Sequence, residues 1–206
     1  MINELEFERK LVYHCAPTLD GMKSANMFAL CKNAYELEKP YILYYKKLFG
    51  QWGIQMTTLK QCRQKVLILV YRKEALAGQL NQKEVDEFLR AQGYSQCVTL
   101  EEKVMKLKER MSDRSTFPHE IGLFLGYPLD DVVGFMKNNG RECKLNGYWK
   151  VYSNVEQARE LFEQFTQCRN QLSSRIENGV SIEQILHGTY WGKPGERENR
   201  KWERQQ

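Results

Sequence analysis

The stretch LVYHCAPTLDGMKSANMF, residues 11–28, decides how the fold is read. Residues 10–15, KLVYHC, are rich in β-branched and aromatic side chains and read as a buried strand. A short loop follows, and residues 21–33 read as a helix. This reading gathers His14, Cys15, Thr18, Lys23 and Ser24 around one strand–loop–helix junction.

Working outward, KVLILVYR at 65–72 is a continuous apolar run, the pattern of a strand buried on both faces. YWKVY at 148–152 alternates after the turn-like LNG, so it reads as a third strand or half of a hairpin. Residues 36–50 carry Leu37, Tyr41, Tyr44, Tyr45 and Leu48 at helical spacing, with Pro40 tolerable in the first turn. TLEEKVMKLKERM opens with a capping box, Thr99 with Glu102. Asn81 with Glu84, Ser153 with Glu156 and Ser181 with Gln184 repeat a similar start signal. After Ser153, apolar residues from Val155 to Ile176 keep one face of a long helix apolar. The expected fold is therefore helix-dominated, α+β or α/β, with a small sheet of about three strands wrapped by helices. Residues 1–190 are expected to form one globular domain, and 191–206 a polar tail holding Trp191 and Trp202.

Composition narrows the function classes. A chain that is 42% hydrophobic and 28% charged can build a core and is not a disordered one. The net charge of +5 is spread along the sequence without a basic face, which argues against a nucleic-acid partner. No apolar run approaches the roughly 20 residues that span a bilayer, and the polar start MINELEFERK is no signal peptide. A cytoplasmic location is expected, with the six cysteines as thiols. Their positions form no CxxC pair and no zinc-ligand spacing with the histidines, so no metal site is expected. The sequence points to no particular cofactor.

Four stretches carry side chains with chemistry. In the first, Lys23-Ser24 after a loop resembles a P-loop only faintly: one glycine is present, and Pro17 lacks an amide N–H. A simpler anion site at the helix start, beside Lys23, fits better. Cys15 is the candidate nucleophile, with His119 followed by Glu120 as candidate base, and a buried, inert Cys15 as the alternative. The second stretch, the strand ending at Arg72, places that cation at the same edge. The third, RSTFPHEIGLFLGYPLDDVVGFMKNNG at 114–140, reads as two short helices joined by a tight turn. Asp130 and Asp131 would repel phosphates and argue against DNA reading there. The fourth, CKLNGYWKVY, interleaves Lys144, Tyr148 and Lys150 with Trp149, a pattern that stacks a planar ligand or simply covers two strand faces.

Together LVYHCAPTLDGMKSANMF, VLILVYR, FPHEIGLFLGYPLDDVVGF and CKLNGYWKVY resemble a family of bacterial proteins of about this length. It is best known from anaerobic Firmicutes and is classed as a domain of unknown function. The resemblance runs over about residues 8–190 and implies a cytoplasmic stand-alone domain. It carries over no activity, cofactor or catalytic residue. Two functions are therefore weighed. One is a small-molecule binder or enzyme with a pocket at strand ends, taking an anionic ligand on His14, Thr18, Lys23, Ser24, Arg72, Lys144, Tyr148 and Lys150. Cys15, His119 and Glu120 would then do any chemistry. The other is a non-catalytic adaptor or regulatory domain that contacts a protein partner.

Overall fold

The computed structural model describes residues 3–113 and 117–190. The expected tail, 191–206, lies outside the described residues. The opening stretch is inverted relative to its sequence reading: a helix runs into a strand. Helix α1 spans Glu4–Asp20 and strand β1 spans Ala25–Cys31. Phe7, Leu11, Val12, Cys15, Ala16 and Leu19 are all buried, and their spacing is helical. That stripe begins at Phe7, ahead of the β-rich hexapeptide, so tertiary burial overrides local strand propensity. Asn3 caps α1 by accepting from the Glu6 amide at 2.9 Å. Gly21 ends it at φ 87°, a left-handed conformation that suits glycine. Pro17 sits in the last turn, where its carbonyl accepts from the Lys23 amide across the cap.

Helix α2 (Lys32–Gly50) follows β1 directly. Strands β2 (Ile54–Gln61) and β3 (Lys65–Arg72) then form a hairpin. The sheet is antiparallel throughout, with β3 in the centre of the order β1-β3-β2. Alternation along β3 explains its continuous apolar run. Val66, Ile68 and Val70 face a core shared with α1 and α2, whereas Leu69 and Tyr71 face a second core. Strand β2 escapes the sequence reading because its register shifts between Thr58 and Lys60. Ile54 and Met56 face the first core and Leu59 the second, so the period-2 signal breaks midway.

The second core is closed by α3 (Lys73–Leu80), α4 (Lys83–Leu89), α5 (Leu100–Ser112), α6 (Ile121–Phe124) and α7 (Leu129–Lys137). A π-helical turn, Arg90–Tyr94, joins α4 to the segment before α5. The capping box of α5 forms as expected. Asn81 instead ends α3, and Asn154 rather than Ser153 caps the long helix α8 (Val155–Glu177). Ser181 and Gln184 bracket the start of α9 (Ile182–Tyr190). YWKVY forms one half of a short hairpin, β4 (Leu145–Asn146) with β5 (Lys150–Val151). The result is a helix-dominated α+β fold, with helices on both faces of a three-stranded antiparallel sheet. No described helix is long and apolar enough to cross a membrane.

Candidate functional site

The α1–β1 junction holds most of the side chains that the sequence singles out. Arg72, at the end of β3, donates through Nε to the Thr18 carbonyl (2.6 Å) and through Nη2 to the Leu19 carbonyl (2.5 Å). Those are carbonyls that a helix end leaves without intrahelical partners, so Arg72 serves as a side-chain cap. Thr18 Oγ1 donates to Asn26 Oδ1 at 2.7 Å. Ser24 Oγ donates to Gln79 Oε1, and Gln79 Nε2 donates to the Leu123 carbonyl, both at 2.6 Å. Thr18, Ser24 and Arg72 therefore tie α1, β1, α3 and α6 together.

Cys15 does not end a strand; it is a fully buried residue of α1. Desolvation pushes its thiol well above the ordinary range, with only partial opposition from Lys23. His14, its neighbour, is exposed and stacks on Phe28 at 5.7 Å between ring centres; partial desolvation lowers its pKa. It lines a groove between α1 and α8 with Lys10, Tyr13 and Ser173.

His119 and Glu120 part company. Glu120 turns into the second core, where it accepts from Tyr94 Oη (3.1 Å) and Arg110 Nε (2.5 Å). His119 is exposed and lies beside Phe117 and Phe135, its imidazole without a hydrogen bond to the described residues. The expected Cys15–His119–Glu120 grouping does not form.

His119, Tyr148 and Lys150 do meet. They line a cavity of about 320 Å³ between the α6–α7 segment and the β4–β5 hairpin. The helical segment contributes Phe117, His119, Tyr127 and Phe135; the hairpin contributes Tyr148, Trp149 and Lys150. Tyr127 and Trp149 lie nearly parallel, 25° apart with ring centres 5.1 Å apart, and Trp149 meets Phe162 edge-on. The cavity's shape depends on Asp131. Its Oδ2 accepts from Trp149 Nε1 at 2.7 Å, and its Oδ1 accepts from the Tyr152 and Ser153 amides and from Ser153 Oγ. One buried carboxylate thus fixes the hairpin against α7. At Gly147 any side chain would run into the Phe162 ring, so the hairpin packs closely there.

The electrostatic contribution is local. Lys150 Nζ donates to the Gly140 carbonyl at 2.6 Å, which leaves two of its three N–H groups for another acceptor. Lys144 is exposed and donates from Nζ to the Ser153 carbonyl at 3.2 Å; it is not part of the cavity wall. Lys23 is buried behind Tyr127, its Nζ 5.0 Å from that ring's centre. Among the described residues no group of three His, Cys, Asp or Glu side chains is placed to hold a metal ion.

Sequence reading missed Phe117, Tyr127, Phe135 and Asp131 as cavity residues. The available signal was the concentration of aromatic side chains in two motif stretches, and an acidic pair where a helix begins. Asp131, read as a repellent of phosphate, is the hub of the hydrogen bonds that shape the cavity.

No curated protein and no solved structure matches the chain. A family model described as protein of unknown function (DUF3793) matches residues 11–186, which takes in both sides of the cavity and the sheet behind it. The chain belongs to that family.

Proposed function

We propose that the chain is a cytoplasmic small-molecule-binding protein, and that the cavity between α6–α7 and the β4–β5 hairpin takes a flat ligand carrying an anionic group. The observation that carries this reading is the convergence of aromatic rings from two separate segments on one cavity, whose wall also holds a cation, an imidazole and the Asp131 carboxylate, the last engaged by four hydrogen bonds. Flat rings stack on such walls, and an anion finds donors in Lys150 and His119.

A second reading, contact with a protein partner, has one observation in its favour. Helix α2 exposes Leu37, Leu43 and Tyr44 on its outer surface.

The test is a titration of the protein with 2-naphthoate, followed by tryptophan fluorescence, beside Trp149→Ala and His119→Ala. Saturable one-to-one binding is expected, about tenfold weaker in each variant. Absence of saturation, or equal binding in Trp149→Ala, would overturn the pocket reading and leave the α2 surface as the stronger candidate.

A further inference from the structure

Two lysines are buried among the described residues, and their surroundings differ. Lys103, 2% exposed, donates to the Leu80 carbonyl (3.1 Å), Asn81 Oδ1 (3.0 Å) and Asp86 Oδ1 (2.8 Å). Lys23 is 7% exposed, and its ammonium has no hydrogen bond and no carboxylate partner among the described residues. Its ammonium instead lies over two rings, 5.0 Å from the centre of Tyr127 and 5.8 Å from that of Phe165. A methionine would fill the same volume without the cost of desolvating a charge, so packing alone does not call for lysine here.

We propose that Lys23 is a specificity-determining residue of the aromatic cavity, acting through Tyr127 to favour a ligand with negative charge. This rests on the pocket reading above. Tyr127 has Lys23 against its ring and also lines the cavity, so one ring separates the cation from a bound ligand. Through protein rather than water, attraction over that distance is weakly screened.

Among the described residues no opposite charge faces this ammonium. From α1, Cys15 faces it, and burial keeps that thiol neutral. From the α6–α7 turn comes Tyr127, whose phenol burial pushes up to about 12. Helix α8 offers Phe165, an uncharged ring. Desolvation lowers Lys23 itself to about 8. Below that pH the cation is present and attracts an anion, and above it the attraction fades.

The experiment measures affinity for two probes of one shape, 2-naphthoate and 2-naphthamide, at pH 7 and pH 9.5, in the wild-type chain and in Lys23→Met. The wild type is expected to prefer the carboxylate about tenfold at pH 7, with the preference falling several-fold at pH 9.5. Lys23→Met should lose most of the preference and most of its pH dependence, while binding the amide within about twofold of wild type. Lys150 and His119 are common to both proteins, so their effects cancel in the comparison. An unchanged preference in Lys23→Met, or equal loss of both probes, overturns the assignment. Should Lys23→Met not fold, Lys23→Arg takes its place: a guanidinium stays charged at pH 9.5, so the preference should hold there, and a fall as large as the wild type's is the failing result. Absence of binding of either probe to the wild type is a different failure, that of the pocket.

Discussion

The α1–β1 junction and the aromatic cavity hold similar side chains in opposite conditions. At the junction, Thr18, Ser24 and Arg72 each have a short hydrogen bond to a neighbouring element. In the cavity wall, His119 has only ring neighbours and Lys150 retains unused donors. The lesson concerns what a cluster of polar residues means. Where a helix ends against a sheet, its carbonyls need donors, and a run of Thr, Ser and Arg supplies them. A site differs in leaving capacity unspent on a surface that a ligand can reach.

The sharpest way to break this comparison is through the cysteines, where the largest effect is expected. Cys62 is exposed in the β2–β3 turn, and the backbone amides of Gln64 and Lys65 lower its thiol pKa. Cys15 is buried, with its pKa displaced the other way. Timed iodoacetamide labelling of the folded protein at pH 7.5, read by peptide mass spectrometry, should modify Cys62 at least ~1000-fold faster than Cys15. Rapid labelling of Cys15 without unfolding would show that the junction opens to solvent and restore it as a reactive centre.

Next in size is a loss of stability at the junction. Arg72→Met removes two charge-assisted hydrogen bonds and leaves the Thr18 and Leu19 carbonyls without that donor. The expected cost is about 3 kcal/mol, seen as a lower midpoint in urea with little change in slope. A cost under about 1 kcal/mol would mean that water replaces the guanidinium, and the junction would then resemble the cavity wall.

How far the sequence leads differs between the same two regions. The central strand, α2, α5, α8 and the hairpin are all legible, because long periodic patterns and a capping box mark them. The opening element is misread because a six-residue window sees Leu, Val and Tyr, while the helical stripe begins earlier, at Phe7. With α1 taken for a strand, β1 becomes a helix, and Cys15 moves from the core to a strand end. The bulge at Thr58–Lys60 hides β2 for a related reason, since it changes which face the strand buries partway along. In the cavity, His119, Tyr148 and Lys150 were visible as residue types. Their meeting was not, because it depends on the four hydrogen bonds to Asp131. No spacing rule links Asp131 to Trp149 and Ser153.

The smallest expected effect is the most informative. His119→Ala removes an exposed ring that touches Phe117 and Phe135 and has no hydrogen bond to the described residues. Surface substitutions of that kind change stability by no more than about 0.5 kcal/mol. The urea midpoint should therefore match the wild type, while 2-naphthoate affinity falls about tenfold. The two readings separate the possible roles of the residue. A histidine that merely packs would lower stability and affinity together, because the Phe117 and Phe135 rings would shift into its space. A histidine held open for a ligand loses affinity alone. A stability loss above about 1.5 kcal/mol would place His119 with Arg72 among the groups that hold the fold. The distinction between the two regions would then rest on Lys150 alone.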